Sequence, residues 1–410
     1  MKVAVVGAGS TYTPELVSGL SELPVDELDL HDVDGQRLDV VGALAERMLG
    51  RVGFTGELVR TTDLDRALDG ASFVLVQIRV GGQAARLTDE TLPLACGCIG
   101  QETTGAGGLA KALRTVPVVL EIAERVAERA AAGAWIVDFT NPVGIVTRAL
   151  LDAGHRAVGL CNVAIGFQRL ISRMLDVAPD RVVVDHVGLN HLTWVRAVHV
   201  DGRDVLPGLL AERVDELAEF ANNPPRLIEE LGVVPSPYLH YFYAHDEVLE
   251  RQLAGETPRA EVVAGIERQL LELYRDPALD RKPELLEQRG GAFYSEAAVG
   301  LVAALSGVRD GVHVVDTRNG VVVPGLQLDD VVELPAHVSP AGPEPLPQRP
   351  LAPELLGLVQ HVAAYERLAA RAAAARDLES ARKALLAHPL VGQLAMVDGL
   401  TEAMLAEAVR

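Results

Sequence analysis

Short apolar runs alternate with longer amphipathic segments through the first 165 residues of the chain. Each run ends at a turn-forming or polar residue, which is typical of buried strands, whereas the segments between them repeat their apolar residues at helical spacing. The predicted strands comprise residues 2–6, 28–31, 73–78, 135–139 and 158–160. The predicted helices include residues 36–49 and 109–131. Because strands alternate with helices, we predict an α/β domain with a Rossmann-like, doubly wound parallel sheet and right-handed crossovers.

The pattern changes after residue 180, where strand-like alternation and hairpin turns become frequent. Asp201-Gly202 follows a strand-like segment and predicts a tight hairpin, and Asn319-Gly320 predicts a second one. The helical segments in this half are residues 247–274, 294–305 and 353–386. We therefore predict a C-terminal α+β domain, with residues 1–165 forming the N-terminal domain and residues 166–410 forming the C-terminal domain.

Charge and hydropathy restrict the class of partner. The 410 residues carry a formal net charge of -20, and 49% of them are hydrophobic. The charge argues against nucleic acid, because a phosphate backbone is bound by clustered Lys and Arg. No apolar run reaches the roughly 18 residues that a membrane span requires. We expect a globular protein that acts on small molecules and binds neither nucleic acid nor a membrane.

The cysteine content indicates a reducing compartment. The chain has 3 cysteines, Cys96, Cys98 and Cys161. A sparse and odd number provides no disulfide framework. The first predicted strand begins at residue 2, which leaves no room for a signal peptide before it. We therefore expect a cytoplasmic protein.

A nucleotide-binding turn follows the first predicted strand. Gly7 and Gly9 would let the backbone approach a pyrophosphate, and the next helix offers free N–H groups at its N-terminus. Tyr12 stands where the third glycine of this motif is usual. Asp32 ends the second strand and could bind a ribose 2′-hydroxyl, which favours NAD over NADP, with Asp34 as the alternative acid. The predicted cofactor-binding residues are Gly7, Gly9, Ser10 and Asp32.

Cys161 and His191 each lie in a tight setting of Gly and Asn, in Gly159-Leu160-Cys161-Asn162 and Gly188-Leu189-Asn190-His191. A residue at the C-terminal end of a parallel strand lies in the crevice where open α/β sheets bind ligands. A thiolate and an imidazole could bind a divalent transition metal, with substrate oxygens and water completing its shell. The alternative is a buried packing cysteine and a hydrogen-bonded histidine. We interpret Cys96 and Cys98 as packing residues.

Motifs with a recognisable order extend along nearly the whole chain. They comprise residues 7–15, 78–82 with Arg86, 89–90, 100–108, 140–142, 159–162, 188–191, 235–239 and 289–292. Together they resemble glycoside hydrolase family 4, the NAD- and manganese-dependent glycosidases, and within it the 6-phospho-β-glucosidases. Gln101-Glu102-Thr103, combined with Cys161-Asn162 and Asn190-His191, is the most specific part of the resemblance. This family lies outside the two-carboxylate scheme of most glycosidases.

The resemblance implies a role for each site residue. Cys161 and His191 would bind Mn²⁺ or another divalent metal, in a site that the C-terminal domain completes. Tyr238 would be the catalytic base, with Tyr241 and Tyr243 as alternatives, and Glu102 would raise its basicity. The implied substrate-binding residues are Arg86, Asn141, Asn162 and Arg259. The resemblance also implies a lactate/malate dehydrogenase-like architecture and a homodimer or homotetramer.

The implied reaction is a redox-assisted elimination. It combines NAD-dependent oxidation at C3 of the sugar, deprotonation at C2, loss of the group on C1, addition of water, and return of the hydride, without net NADH. The α-specific members carry Asp where this chain has Asn162, and an amide cannot act as a general acid. The resemblance therefore favours β-linked 6-phosphoglucosides, either phosphorylated disaccharides or aryl glucosides, and leaves the leaving-group acid unassigned.

Three alternatives to this activity remain open at the level of sequence. One is an NAD-dependent hydroxy-acid dehydrogenase of the same fold, because a fold does not determine a reaction. Another is a family 4 glycosidase that acts on another sugar. The third is a non-enzymatic NAD-binding regulator, which would explain the nucleotide turn but not the Cys, His and Tyr motifs.

Overall fold

The apolar runs of the first half form parallel strands in the computed structural model, which describes residues 1–290 and 293–408 and side chains up to residue 404. These strands are β1 (Lys2–Val6), β2 (Glu27–His31), β3 (Glu57–Thr61), β4 (Phe73–Val76), β5 (Trp135–Asp138) and β6 (Ala157–Gly159). They lie in the order β3-β2-β1-β4-β5-β6, and all neighbours are parallel. This order is typical of dinucleotide-binding domains. The predicted Rossmann-like sheet is confirmed.

Helices cover this sheet on both faces, which explains why β1, β4 and β5 are almost entirely buried. The helices are α1 (Thr13–Leu20), α2 (Gly35–Val52), α3 (Leu64–Leu68), α4 (Gly82–Ala95), α5 (Gly105–Arg129), α6 (Val143–Asp152) and α7 (Val163–Leu175).

Strand β3 was absent from the predicted elements. Its side chains are partly or largely exposed at the edge of the sheet, so it contains no apolar run to reveal it.

The second half extends the same sheet with antiparallel strands. These are β7 (Val182–Leu189), β8 (Leu192–Val200), β9 (Arg203–Asp204), β10 (Val234–Pro235), β11 (Gly311–Arg318), β12 (Val331–Ser339) and β13 (Gly342–Pro345). Strand β11 pairs with β6, and the path continues through β12, β7 and β8 to β10. The predicted α+β character is confirmed. The division into two domains after residue 165 stays a prediction.

Short and long helices surround the antiparallel strands. They are α8 (Leu206–Glu212), α9 (Val214–Ala221), α10 (Pro225–Leu231), α11 (His240–Tyr243), α12 (His245–Leu253), α13 (Arg259–Tyr274), α14 (Leu285–Gln288), α15 (Tyr294–Leu305), α16 (Pro353–Ala375), α17 (Leu378–Ala387) and α18 (Leu394–Ala408), with 3₁₀ turns at Pro179–Arg181 and Pro237–Leu239. The segment predicted as one helix over residues 247–274 is two helices, because the chain leaves α12 after Leu253, turns at Gly255 with φ of 95°, and starts α13 after Pro258. Among the helices of the described residues, none has the length and apolarity to cross a bilayer.

The two predicted hairpins have different outcomes. Asp201 and Gly202 join β8 to β9 with φ of 51° and 79°, so that hairpin is confirmed. The hairpin at Asn319-Gly320 is wrong, because β11 pairs with β12, which begins only at Val331. The Asn319 amide instead accepts from the N–H of Val323 (2.8 Å) and donates to a carbonyl on the far side of the connecting loop.

The antiparallel strands bring the two Gly/Asn motifs into one region of the sheet. Asp316 of β11 pairs with Gly159 of β6, Glu333 of β12 is opposite Asp316, and Gly188 of β7 is opposite Glu333. Four neighbouring strands therefore connect the segment that leads to Cys161 with the segment that leads to His191. Of the motif at residues 289–292, residues 291 and 292 lie outside the described residues.

Candidate active site

A cavity of about 2140 Å³ opens along the carboxyl ends of the parallel strands. Its lining includes Gly7, Gly9, Ser10, Asp32, Arg86, Glu102, Asn141, Asn162, Tyr238 and Arg259. A site for one small ligand measures roughly 300–1,000 Å³. This cavity is larger, so it has room for a dinucleotide and a second ligand. Cys161 and His191 are outside its lining.

The nucleotide turn is fixed to the end of β2 through Asp32. The backbone N–H of Gly9 donates to Oδ2 of Asp32 (2.8 Å), and a Cβ at Gly9 would lie 2.8 Å from that oxygen. Oδ1 of Asp32 accepts from the N–H of Asp34 (2.9 Å). Asp34 caps α2 by accepting from the N–H of Arg37 (3.0 Å). Both candidate acids therefore have backbone partners, but only Asp32 is attached to the nucleotide turn, whereas Asp34 caps α2.

Glu102 is surrounded by three cations. It forms ion pairs with Arg79, with Lys111 at 2.5 Å, and with Arg86 at 3.1 Å. Burial acts to raise the pKa of Glu102, but Lys111, Arg79 and Arg86 outweigh it and hold that pKa well below its usual range. The three cations thus favour the charged form of this buried carboxylate. No role was assigned to Arg79 or Lys111 from the sequence. A lysine among the Gly and Ala residues at the start of α5 does, however, indicate a buried cation that needs an acidic partner.

The same cluster orients Arg86. Its Nε donates to Oε1 of Glu90 (2.7 Å) and lies 3.1 Å from Oε1 of Glu102. Glu90 also accepts from the N–H of Ala260 in the first turn of α13 (2.8 Å). The neighbouring Arg259 is exposed, and its Nη2 donates to the carbonyl of Gln288 (3.2 Å). The structure therefore brings Arg86 to Glu102 but leaves Arg259 on the outer part of the cavity.

Asn190 connects Cys161 to a buried carboxylate. Its side chain lies close enough to the Cys161 thiol to act on its pKa, and its Nδ2 donates to Oε2 of Glu333 (2.8 Å). The other oxygen of Glu333 lies 2.7 Å from Nε2 of His186. Burial, followed by the charge of Glu333, raises the pKa of the Cys161 thiol well above its usual value. Since Asn190 directly precedes His191, this contact brings the two predicted ligands into one neighbourhood.

His191 is stacked on Tyr238. It occupies the left-handed backbone region at φ 63°, which is uncommon for a residue other than Gly. Its ring lies parallel to that of Tyr238, with the centroids 3.5 Å apart and an angle of 8° between the planes. Burial lowers the pKa of His191 to about 4, so the imidazole is neutral near pH 7. The pKa of Tyr238 is raised by burial, with Cys161, Tyr241 and Glu102 adding to the effect.

Cys161 and His191 are suitable ligands for a divalent transition metal whose remaining positions are filled by the substrate and water. A neutral imidazole and a thiolate are ligands of such metals, a bound cation would displace the proton of the thiol, and the charge of Glu333 close to Cys161 favours a cation. No group of 3 or more His, Cys, Asp or Glu residues suited to a metal is found in the part of the chain that the structure describes. The pair lies just behind the cavity wall, because Asn162 follows Cys161 and Tyr238 covers His191, and both line the cavity.

The remaining predicted residues occupy different positions relative to the cavity. Asn141 and Asn162 both line it, and Asn162 is the residue before the first turn of α7. Oδ1 of Asn141 is buried and has no hydrogen-bond partner among the described residues. Of the two alternatives to Tyr238, Tyr241 lines the cavity, whereas Tyr243 packs against the main hydrophobic core. Tyr241 is therefore the relevant alternative base.

Comparison with known proteins covers both halves of the chain. The model of the family 4 glycosyl hydrolases matches residues 2–177, and the model of the family 4 glycosyl hydrolase C-terminal domain matches residues 186–391. A probable 6-phospho-β-glucosidase of Bacillus subtilis strain 168 is 40% identical over 423 residues, which cover 99% of this chain and 96% of the relative. The 6-phospho-β-glucosidase of Escherichia coli strain K12 is 36% identical, over 95% of this chain and 91% of the relative.

A solved structure shows the same architecture. The 6-phospho-β-glucosidase of Thermotoga maritima, with manganese, NAD⁺ and glucose-6-phosphate, superposes with a TM-score of 0.91. It is 33% identical in sequence, and the match covers 100% of this chain and 98% of that chain. The similarity therefore extends through the nucleotide turn and through both Gly/Asn motifs.

Proposed function

Since the chain belongs to glycosyl hydrolase family 4, we propose that it hydrolyses 6-phospho-β-glucosides, with NAD and Mn²⁺ or another divalent cation as cofactors. Relatives named for this activity match nearly the whole chain, and a solved relative contains manganese, NAD⁺ and glucose-6-phosphate. The observation that carries the proposal is the joining of Cys161 to Asn190-His191 beside Tyr238, at a cavity that also contains a dinucleotide-binding turn. A hydroxy-acid dehydrogenase would need the turn but not the thiol.

Separate sets of residues would hold the two cofactors. Gly7 and Gly9 let the backbone approach the pyrophosphate of NAD, and Asp32 accepts from the ribose hydroxyls. Cys161 and His191 hold the cation. When bound, NAD supplies a hydride acceptor and the cation supplies Lewis acidity to the sugar oxygens.

Within this arrangement, Tyr238 removes the proton from C2 of the sugar. A phenol with a pKa near 10 is a weak base at neutral pH, so it needs a cation nearby to favour its phenolate form. The negative charge of Glu102 has the opposite effect on the pKa of Tyr238, because it raises that pKa. The phenolate is therefore a stronger base once it has formed. Arg86, Asn141, Asn162 and Arg259 bind the phosphosugar.

Asn162 determines the anomer in this proposal. It follows the metal-binding Cys161 and lines the cavity, but an amide offers no proton to a leaving group. The residue therefore suits β-linked substrates with leaving groups that depart without help from this position. Phosphorylated disaccharides and aryl 6-phospho-β-glucosides are both of this class.

A direct assay tests the function. With NAD and Mn²⁺ present, we expect release of the phenol from an aryl 6-phospho-β-glucoside, while the absorbance of NADH stays below the level set by the enzyme concentration. One NADH per turnover would identify a dehydrogenase instead. Equal hydrolysis of the aryl β-glucoside without the phosphate would contradict the requirement for a 6-phosphate and point to another sugar within the family.

The acid at the ribose provides a separate prediction. Asp32→Asn removes a charged acceptor, and we expect the dissociation constant of NAD to rise about 10–100-fold, because a hydrogen bond to a charged group contributes about 1.5–3 kcal/mol. Preference for NAD over NADP should fall as well. Titration calorimetry with both dinucleotides measures the two effects.

Asp34→Asn is the matched control for that variant. Asn is as good a helix cap as Asp, so α2 should be preserved and NAD binding should stay unchanged. A weaker affinity in Asp34→Asn together with normal affinity in Asp32→Asn would identify Asp34 as the ribose acid.

Composition and family resemblance bear on the cellular location and the assembly of the protein. We propose a cytoplasmic location from the small number of cysteines, and a homodimer or homotetramer from the family resemblance. Sedimentation velocity of the purified chain distinguishes these assemblies from a monomer.

A further inference from the structure

A chain of hydrogen bonds leads from Gln101 through Thr103 to the ring of His191. Oε1 of Gln101 lies 2.5 Å from the N–H of Thr103 and 2.8 Å from the N–H of Thr104. It also lies 2.9 Å from the hydroxyl of Thr103. Two backbone N–H groups can be faced only by an acceptor, so the oxygen end of the Gln101 amide is the one that points at them.

This arrangement determines which way the Thr103 hydroxyl points. The hydroxyl has one proton, and that proton is donated to Oε1 of Gln101, which can only accept. Oγ1 of Thr103 also lies 3.0 Å from Nδ1 of His191. With its proton already given to Gln101, Oγ1 can only accept from Nδ1. The hydrogen of the neutral imidazole is therefore on Nδ1, and Nε2 carries the lone pair.

We propose that Thr103, oriented by Gln101, is a positioning residue that holds His191 in the Nδ1–H tautomer and so presents Nε2 as the metal-binding atom. The consequence for a metal rests on the proposed function, since it takes His191 to be a ligand. The tautomer itself follows from the hydrogen bonds. Partners of this kind on ligating histidines typically contribute about 10–100-fold to metal affinity.

The segment that carries Thr103 is held firmly against the start of α5. A Cβ at Gly107 would lie 2.2 Å from the carbonyl oxygen of Asp89 and 2.4 Å from that of Gln101. A Cβ at Gly108 would lie 2.7 Å from the carbonyl carbon of Thr103. The backbone of this turn therefore packs directly on the helix, which leaves Gln101 and Thr103 little freedom to move away from His191.

The same hydrogen bond also acts on the proposed base. Because the rings of His191 and Tyr238 are parallel at 3.5 Å, fixing the plane of the imidazole restricts the plane of the phenol. Thr103 thus orients the ligand directly and Tyr238 through the stacked ring. Neither effect requires Thr103 to touch the substrate.

Three variants separate this role from simple packing. Thr103→Val keeps the shape of the side chain and removes the acceptor. Thr103→Ser restores a hydroxyl at the same position. Thr104→Val is the matched control, since it removes the neighbouring hydroxyl, which has no assigned part in the site, from the same turn.

The first measurement is on the metal-free full-length chain, labelled with ¹⁵N in histidine. Long-range ¹H–¹⁵N spectra distinguish a ring nitrogen with a hydrogen from one with a lone pair, and His191→Gln identifies the His191 signals. We expect a lone-pair signal for Nε2 in the unmodified chain, in Thr103→Ser and in Thr104→Val. In Thr103→Val we expect averaging between the two tautomers. An Nε2–H tautomer in the unmodified chain would overturn the proposal.

The second measurement is the dissociation constant of Mn²⁺, from the paramagnetic resonance signal of the free ion. Thr103→Val should raise this constant about 10–100-fold, whereas Thr103→Ser and Thr104→Val should stay near the unmodified chain. Unchanged affinity in Thr103→Val would overturn the positioning role. If the unmodified chain bound no Mn²⁺, the proposed function would fail, and the spectra would still decide the tautomer.

Discussion

Replacing Tyr238 by Phe is expected to lower kcat on an aryl 6-phospho-β-glucoside by about 10²–10⁴-fold, the usual contribution of a general base. The phenol oxygen is the only group that this substitution removes. Phe keeps the flat ring that stacks on His191 at 3.5 Å, so the proposed metal ligand should keep its position. Steady-state kinetics at saturating NAD and Mn²⁺ measure the effect.

A step-specific readout accompanies this variant. If Tyr238 takes the C2 proton, the primary isotope effect of a C2-deuterated substrate should increase as proton removal becomes slower, while the affinities for NAD and Mn²⁺ stay normal. Tyr241→Phe is the control, because Tyr241 also lines the cavity and acts on the pKa of Tyr238. A large loss in Tyr241→Phe together with near-normal turnover in Tyr238→Phe would assign the base to Tyr241.

Those parts of the cavity lining that depend on short stretches of chain were predictable. The Gly7–Gly9 turn and Asp32 lie at the ends of β1 and β2, whose apolar runs are plain in the sequence. In a parallel sheet the ends of adjacent strands come together by necessity, so their association follows from the order of the elements. The structure adds that Asp34 caps α2. The sequence cannot distinguish the roles of two acids so close together, because those roles depend on the directions of their side chains.

The environment of Cys161 was not predictable in the same way. Its motif indicated a ligand, but its contact with Asn190 and the position of Glu333 depend on β11 and β12 extending the parallel sheet. These strands lie more than a hundred residues further along the chain. Local periodicity does not indicate which distant strands pair. The incorrect hairpin at Asn319-Gly320 also placed the partner of β11 at residues 321–323 instead of at β12.

The cations around Glu102 show a further limit. Lys111 is on α5 within a run of Gly and Ala, and hydrophobic patterning treats it as an exception rather than as a partner. The role of Lys111 is evident only in the folded chain, where Arg79, Arg86 and Lys111 all pair with the same carboxylate. Burial, together with the charge of Arg79, lowers the pKa of Lys111 to about 8. Such an environment depends on three separate segments, so the sequence could name Glu102 but not its partners.

Cys161→Ser is expected to abolish metal-dependent turnover, with a loss of about 10³-fold or more. A metal acting as a Lewis acid contributes several kcal/mol to the transition state, and each 1.36 kcal/mol corresponds to about tenfold in rate. A serine hydroxyl offers a harder and far less acidic ligand than a thiol, so the cation should be lost while the fold remains. Mn²⁺ binding and turnover are measured together, and NAD affinity reports on folding.

Removing the cofactors from the unmodified chain should have the same result by a different route. After treatment with a chelator and removal of NAD, we expect no hydrolysis, and each cofactor alone should fail to restore it. Cys96→Ser is the control for the cysteine variant, because Cys96 is a half-buried free thiol near α18 and does not line the cavity. Full activity after both cofactors are removed would exclude the redox-assisted route. Full activity in Cys161→Ser would show that the thiol holds no cation that the reaction needs.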